Sequence, residues 1–317
     1  MRLTHIHKQH NSRVAYLALA AVCLFWGTTY LGIRIGLESL PPLYLIAIRY
    51  VISGSILLIA AALAGIPLPQ GRELLLTAIY GVICIGVGNG FLATAEEYVP
   101  SGLAALFYTT APFWMVGIDA LLPEGKRPRL PTVGGLLIGL LGVAFLILPA
   151  ALREGFGGKV ISGFLLLQIS AAGWVAGSLL QKRVETRANS FVTGAVQQFA
   201  TGIAMLIPAS IFEKMPHAIG LRSGLAVVYL VVFGSLIGFS SYIYAVAKLP
   251  VAVVSIYYFV NPIVAVWLGF LFFREPFGGR EAAAMVIIFT GIALVRWSES
   301  LRTRPMEALM VERANSG

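Results

Sequence analysis

The sequence predicts an all-α integral membrane protein with ten transmembrane helices, arranged as two inverted five-helix repeats. Three observations support this class: the composition, ten long apolar segments and an internal repeat. Of 317 residues, 58% are hydrophobic and only 12% are charged, and the mean hydropathy is +0.85. Soluble domains usually contain about 25% charged residues. The composition therefore excludes ordinary soluble, disordered and fibrous proteins.

Each apolar segment is long enough to cross a bilayer, whose hydrocarbon core of about 30 Å requires roughly 20 helical residues. Arg34, Arg49 and Asp119 interrupt three segments, and Arg280 and Glu281 stand at the start of the last. Transmembrane β-strands would be about ten residues long and would alternate in polarity, which these segments do not. The predicted spans are Val14–Leu37, Leu43–Leu63, Leu74–Ala95, Ser101–Leu122, Leu130–Pro149, Val160–Leu180, Ser190–Phe212, Ser223–Ala247, Val251–Phe273 and Gly279–Trp297.

The positions of Lys and Arg predict the orientation, because positive residues favour cytoplasmic connections. With the N-terminus inside, fifteen of them fall in inner segments: Arg2, Lys8, Arg13, Arg72, Lys126, Arg127, Arg129, Lys182, Arg183, Arg187, Lys248, Arg296, Arg302, Arg304 and Arg313. Six fall in outer segments: Arg153, Lys159, Lys214, Arg222, Arg274 and Arg280. We therefore expect a multi-pass protein of the plasma (inner) membrane with both termini in the cytoplasm. The net charge of +9 indicates topology rather than a nucleic-acid surface.

The two halves of the sequence resemble each other at a nearly constant spacing. At a shift of 148 residues, Ile48–Gly54 aligns with Val196–Gly202 and Trp26 aligns with Trp174. At a shift of 150, further pairs are Gly88 with Gly238, Pro100 with Pro250, Tyr108 with Tyr258 and Pro112 with Pro262. Five spans per copy is an odd number, so the second copy enters the membrane upside down. We divide the chain into a basic tail (1–13), a first repeat (14–149), a second repeat (160–297) and a C-terminal tail (298–317).

Inverted repeats are typical of secondary transporters, whose site lies near the midplane between the halves. The sequence therefore predicts a secondary transporter that works by alternating access, with a small-molecule substrate and the lipid bilayer as partners. No nucleic acid, cofactor or metal is expected, and a homodimer is left open. The alternative is an integral membrane enzyme acting on lipid or isoprenoid substrates. Such an enzyme needs clustered carboxylates, histidines or a nucleophile at one face, and the short loops contain no such cluster.

Short motifs occur in both repeats: Leu24–Tyr30, Tyr98–Leu106 and Thr110–Pro112 in the first, and Tyr258–Ala265 with Glu275 in the second. Over residues 14–297 these segments resemble the EamA-type transporters of the drug/metabolite transporter superfamily. The resemblance implies ten helices in two inverted repeats and the transport of small metabolites, often the export of amino acids or related compounds. The first repeat departs from the family pattern at Leu122–Gly125, where a Gly-Glu pair is usual, so no role is carried over to Glu124.

Arg49 is the clearest candidate for the substrate pathway, because ionisable groups inside a membrane are costly and often functional. It lies seven residues into its span, with Ser53 one turn further on the same face. An arginine can hold a carboxylate through two hydrogen bonds, and its repeat partner Gln197 could bind the rest of a zwitterion. The alternatives are that Arg49 reaches the headgroups with its long side chain, or that it pairs with a carbonyl at a helix end.

The aromatic and proline residues that recur in both repeats are further candidates. Pro112 and Pro262 are expected to kink their helices, which in transporters can expose carbonyls to a cavity. Asn261 stands beside Pro262 and is placed to bind such a carbonyl or the substrate. The remaining pathway candidates are aromatic: Tyr108, Tyr258, Trp26 and Trp174. Static packing is the alternative for each of these residues.

Three carboxylates lie near the ends of spans. Asp119, the single aspartate of the chain, is a candidate for carrying a coupling proton. The alternative is that it faces water or Lys126 at the inner end of its span. Glu96 and Glu97 end the third span just before Pro100, and we expect both to be water-exposed caps.

Overall fold

The computed structural model describes residues 2–122, 128–154, 158–183, 188–249, 251–254 and 256–315. Within these ranges all regular secondary structure is helical. Among the described residues, nine helices are long and apolar enough to cross a membrane, and Tyr257–Phe273 is a tenth, shorter apolar helix. The structure therefore confirms the predicted class, an all-α membrane protein of two five-helix repeats.

We number the ten membrane helices in chain order. The first repeat contains α1 (Arg2–Gly36), α2 (Pro42–Leu63), α3 (Gly71–Ala95), α4 (Ser101–Leu121) and α5 (Leu130–Glu154). The second repeat contains α6 (Lys159–Arg183), α7 (Ser190–Phe212), α8 (Leu221–Val246), α9 (Tyr257–Phe273) and α10 (Gly279–Asn315). Large apolar side chains on the outside of the bundle, such as Leu63, Phe212 and Trp267, are more than half exposed. They form the surface that meets lipid.

Three of these helices are irregular in the middle. A π-helical segment, Val82–Val87, interrupts α3, and Leu230–Ile237 interrupts α8. The two segments occupy equivalent places in the two repeats. Helix α4 is broken at Thr109 and Thr110, whose hydroxyls donate to carbonyls three residues earlier. A single turn, Val251–Val254, precedes α9.

Equivalent helices of the two repeats run in opposite directions. Arg34, near the end of α1, donates to the carbonyl of Glu96 in the connection after α3. Gly163, near the start of α6, lies against Val99 in that same connection. Helix α1 therefore ends where α6 begins, as an inverted repeat requires. We call this end of the bundle, with connections 37–41, 96–100, 213–220 and 274–278, the far end, and the opposite end the near end.

The two repeats cross most closely where α2 meets α7. A Cβ added to Gly54 would collide with the backbone of Phe199, and one added to Gly202 would collide with the backbone of Val51. Both pairs are related by the 148-residue shift, so this crossing is symmetric. Only glycine lets two helix backbones come this close.

Two carboxylates of the second repeat cap helices of the first repeat at the far end. Glu213, just after α7, accepts hydrogen bonds from the amides of Leu43 and Tyr44 at 2.9 and 3.0 Å. Glu275, just after α9, accepts from the amides of Ser101 and Gly102 at 2.8 and 2.9 Å. A carboxylate at a helix N-terminus satisfies free N–H groups and complements the helix dipole. These caps hold the far end of the bundle together.

Candidate transport site

A cavity lies between the two repeats. Among the described residues, its lining comes from every membrane helix except α5 and α10. It offers about 100 Å³ to the centres of water molecules. Since one water needs roughly 10–15 Å³ by that definition, the cavity accommodates several waters or a small solute. Its lining combines aromatic rings with a few polar side chains, which is typical of small-molecule sites.

Arg49 brings a positive charge into this cavity. The residue is only 3% exposed, and its Nε donates to the Ser235 hydroxyl at 2.9 Å. Its guanidinium carbon lies 4.8 Å from the centre of the Tyr50 ring. Its Nη1 has no hydrogen-bond partner, and no carboxylate pairs with it among the described residues. A buried cation without a counter-ion is costly, and a bound anion would remove that cost.

A second unused donor lies in the same lining. The Ser53 hydroxyl donates to the Oε1 of Gln198 at 2.6 Å, which fixes the amide. The Nε2 of Gln198 has no partner among the residues that the structure describes, although Gln198 is only 1% exposed. Arg49 and Gln198 therefore both line the cavity, and each carries an N–H group without a partner among the described residues.

The π-helical segment of α8 positions the residues opposite Arg49. Ser235, which accepts from Arg49, lies within this segment, and so does Gly234, whose carbonyl accepts from the indole of Trp26 at 3.1 Å. A π-helical turn departs from the regular α-helical pattern and is frequent at functional sites. In this chain it supplies both a hydroxyl and an accepting carbonyl to the cavity wall.

Five rings form an aromatic cluster beside these polar groups: Trp26, Trp174, Tyr242, Tyr257 and Tyr258. The two tryptophan rings meet edge to face at 6.1 Å between centroids, and Tyr257 stacks on Tyr258 at 4.2 Å. Trp26 also packs against Tyr242 and Tyr257 at 5.1 and 5.4 Å. Aromatic faces attract both apolar groups and cations. This part of the cavity can hold an apolar side chain or an ammonium group.

Asn261 connects α9 to α1 behind the aromatic cluster. With its amide nitrogen oriented as donor, it bonds to the carbonyls of Cys23 at 2.9 Å and Tyr257 at 3.2 Å. The following Pro262 lies inside α9. On the other side of the cavity, Pro112 is near the start of the second piece of α4, just after the break at Thr109 and Thr110. Pro262 itself lines the cavity, whereas Pro112 lies three residues after the lining residue Thr109.

The sequence of this chain is similar to a known family of membrane proteins. The model of the EamA-like transporter family matches residues 13–148 and 161–297. The chain belongs to the EamA-like transporter family. An uncharacterized inner membrane transporter of Escherichia coli (strain K12), YedA, is 34% identical over 305 residues, covering 94% of this chain and 96% of the relative. This confirms the resemblance found in the motifs.

Other EamA relatives are more distant. The uncharacterized transporter YvbV of Bacillus subtilis (strain 168) is 27% identical, covering 88% of this chain and 90% of the relative. One solved crystal structure shares the fold with a TM-score of 0.65 at 24% identity, covering 89% of this chain and 96% of that one. Because the family and these relatives are named as transporters, the chain is a membrane transporter, and the enzyme alternative does not hold.

In this EamA chain, six of the seven predicted pathway residues line the cavity: Arg49, Tyr108, Tyr258, Asn261, Trp26 and Trp174. Their part in transport stays a prediction. Gln197 is absent from the described lining, and its Nε2 instead donates to Gln181 at 3.1 Å. The neighbouring Gln198 takes the place in the cavity that we expected for Gln197. Ser235 and Tyr257 also line it and were not predicted.

Of the three carboxylates predicted to lie at the ends of spans, one, Glu96, is not exposed to water as we expected. Glu97 is exposed as expected, but Glu96 is fully buried, so the prediction of a water-exposed cap is wrong for Glu96. The connection after α3 packs against Arg34 of α1 and Gly163 of α6. Asp119 forms an ion pair with Arg183 at 3.8 Å, with both side chains about one-third exposed. Its coupling role stays a prediction, and Glu124 and Pro250 lie outside the described residues.

Proposed function

We propose that this EamA transporter exports small metabolites that carry a carboxylate, such as amino acids or related compounds, by alternating access. It acts in the plasma (inner) membrane with both termini in the cytoplasm, so the near end is cytoplasmic and the far end faces outward. The excess of Lys and Arg in the near-end segments supports this orientation.

The unused donors of Arg49 and Gln198 support a carboxylate as the recognised group. Arg49 is buried, its Nη1 has no partner among the described residues, and its Nε is held by Ser235. A guanidinium fixed at one nitrogen and free at another can receive a carboxylate oxygen without rearranging. Hydrogen bonds between charged groups contribute about 1.5–3 kcal/mol each, enough to select an anion.

The aromatic cluster supports an amino-acid-like remainder for the solute. Trp26, Trp174, Tyr257 and Tyr258 line the same cavity as Arg49. Their ring faces suit an ammonium group or an apolar side chain. A zwitterion would therefore find a cationic partner for its carboxylate and aromatic partners for the rest within one cavity.

The geometry between the repeats supports alternating access. The cavity is walled by both repeats, and the far end is tied by contacts that cross from one repeat to the other. Moving the repeats about the close α2–α7 crossing can break these ties without breaking either five-helix unit. Because the repeats are inverted copies of each other, exchanging their conformations opens the near end instead of the far end.

Transport by purified protein in proteoliposomes tests this proposal. Counterflow of a radiolabelled amino-acid pool is measured for the wild type, Arg49→Gln and the matched control Arg153→Gln, which changes an exposed arginine at the end of α5. We expect Arg49→Gln to raise the half-saturating concentration about tenfold to a hundredfold, as expected for one charge-assisted hydrogen bond. Arg153→Gln should leave it unchanged.

Competition with methyl esters isolates the carboxylate. An ester retains the amine and the side chain but loses the negative charge, so it should compete much less well than the free amino acid. The proposal fails if esters and free acids compete equally, or if a folded Arg49→Gln variant transports with wild-type half-saturation.

A further inference from the structure

Glu96 is a buried carboxyl group for which the described part of the chain provides no hydrogen-bond partner. It follows directly after α3, is 0% exposed, and neither carboxylate oxygen has a hydrogen-bond partner among the described residues. At the 150-residue shift its counterpart is Val246, a valine that is 40% exposed. The fold therefore does not require an acid at this position, because the equivalent place in the second repeat has none.

Two donors in the neighbouring elements, Arg34 and Ser101, donate to acceptors other than the Glu96 carboxylate. Arg34 of α1 donates to the backbone carbonyl of Glu96, not to its carboxylate. Ser101, at the start of α4, gives both its amide and its hydroxyl to Glu275, each at 2.8 Å. An ionised Glu96 would thus be buried without a donor, which is strongly unfavourable. A protonated Glu96 carries no charge and avoids that penalty.

Two charged groups act on Glu96, Arg34 from α1 and Glu275 from the connection after α9. Burial raises the pKa of Glu96 well above its ordinary value; Arg34 opposes this shift and Glu275 adds to it. The adjacent Glu97 is exposed, and its own pKa is raised by burial of part of its side chain and by Glu213. In the closed far end the carboxyl of Glu96 therefore stays neutral to higher pH than an exposed glutamate does.

We propose that Glu96 is a proton-binding site that couples the opening of the far end to the release of a proton. When the far end opens, Ser101 and Gly102 move away from Glu275 and water reaches Glu96. The O–H bond of Glu96 then breaks, its proton passes to far-side water, and the carboxylate is left solvated near Arg34. Closing requires the reverse: one proton from far-side water binds to Glu96 before it is buried.

The direction of the pH dependence follows from linkage. A group that has the higher pKa in the closed state binds more protons there, so acid favours the closed far end and alkali favours the open one. Above the pKa of the open state, the ratio of open to closed protein should rise about tenfold per pH unit until the pKa of the closed state is reached. This inference rests on the rocking of the repeats that the proposed function requires, but not on the identity of the substrate.

Cysteine labelling of the substrate-free full-length protein in nanodiscs measures this opening. The reporter is Ser223→Cys, a near-isosteric change at a residue that is 1% exposed and bonds to Ile35 of the other repeat. Met215→Cys, in an exposed far-end connection, corrects for the pH dependence of the thiol itself. The native Cys23 and Cys84 are buried, and their labelling is subtracted using the chain without a reporter.

We expect the ratio of reporter to control labelling by a maleimide to rise steeply with pH in the wild-type background. Glu96→Gln keeps the shape of the side chain but cannot ionise, so it should give a low ratio at all pH values. Glu97→Gln, the matched control one residue away, should behave as the wild type does. A pH-independent ratio in the wild type, or an unchanged pH response in a folded Glu96→Gln variant, would overturn the proposal.

The result is separable from a failure of the proposed function. A flat labelling ratio together with amino-acid counterflow by the wild type would reject the proton site and leave the transport function standing. A pH response that depends on Glu96, without any amino-acid flux, would support the proton site and reject the substrate class.

Discussion

The two repeats share a backbone plan but differ in where they carry charge. Gly54 and Gly202 make the same close approach to the opposite repeat, and Trp26 and Trp174 meet edge to face in the lining of the cavity. The polar positions do not match in this way. Arg49 reaches the cavity, whereas its counterpart Gln197 is bonded to Gln181 outside the described lining.

This difference separates what the fold needs from what the chemistry needs. Close helix crossings and ring packing recur in both repeats because both halves must meet along one pseudo-symmetric interface. Arg49 and Glu96 have no charged counterpart in the second repeat. Because uncharged residues, Gln197 and Val246, stand at the equivalent positions, the asymmetry singles out these two charges of the first repeat as functional candidates.

The largest expected effect comes from adding a methyl group at the symmetric crossing of α2 and α7. In Gly54→Ala or Gly202→Ala the new methyl group would collide with backbone atoms of the opposite helix, so α2 and α7 must separate. We expect each change to destabilise the protein by about 1–3 kcal/mol and the two effects to be similar. Thermal unfolding in detergent, followed by size-exclusion chromatography, measures this.

Gly224→Ala in α8 is the matched control for that experiment, because a Cβ there meets open space. It should be neutral or slightly stabilising. If Gly54→Ala and Gly224→Ala unfolded at the same temperature, the helices would not cross as closely as described.

A smaller effect is expected at the caps that run from the second repeat onto the first. Glu213→Ala removes the acceptor of two amides at the start of α2, which should cost about 1–2 kcal/mol of stability. Arg222→Ala is the control, because it breaks another contact between the repeats, the 3.2 Å ion pair between Arg222 and Glu38. The side chain of Arg222 is 66% exposed. Such a pair contributes about 0–1 kcal/mol. Equal unfolding temperatures for both variants would show that the cap adds nothing beyond a surface ion pair.

The smallest effect is expected at two adjacent glutamines, Gln197 and Gln198, of which only Gln198 lines the cavity. Gln198→Ala removes a cavity-lining donor, so the half-saturating concentration of a transported amino acid should rise about threefold to tenfold, in line with about 0.5–1.5 kcal/mol for a neutral hydrogen bond. Gln197→Ala should leave it unchanged, because Gln197 bonds to Gln181 instead. If Gln197→Ala raised the half-saturating concentration in counterflow assays and Gln198→Ala did not, Gln197 would be the residue that contacts the substrate.

Most of the fold was predictable from the sequence because long apolar runs are a strong signal. The predicted span Ser190–Phe212 coincides with α7, and Leu43–Leu63 differs from α2 by one residue. The π-helical segments Val82–Val87 and Leu230–Ile237 were not predicted. A π-helical turn changes the winding of the backbone without changing its hydrophobicity, so an apolar run looks the same with or without it.

The site was less predictable because it depends on contacts between distant residues. The 148-residue shift selects Gln197 as the partner of Arg49, but which of two neighbouring glutamines faces a cavity is decided by helix rotation against the other repeat. Glu96 looked like a cap because it ends an apolar run beside Glu97. The charged groups that act on Glu96, Arg34 and Glu275, lie 62 and 179 residues away in the chain, so no local pattern reveals its surroundings.

The direction of the caps has a consequence for how the chain is made. Ribosomes deliver the first repeat to the membrane before the second, yet the start of α2 depends on an acceptor about 170 residues later, and the start of α4 on one 174 residues later. Until Glu213 and Glu275 have been synthesised, the first turns of α2 and α4 lack these acceptors. The first repeat is thus finished only by the last third of the polypeptide, so a truncated product would leave the membrane-inserted half incomplete and open to quality-control proteases.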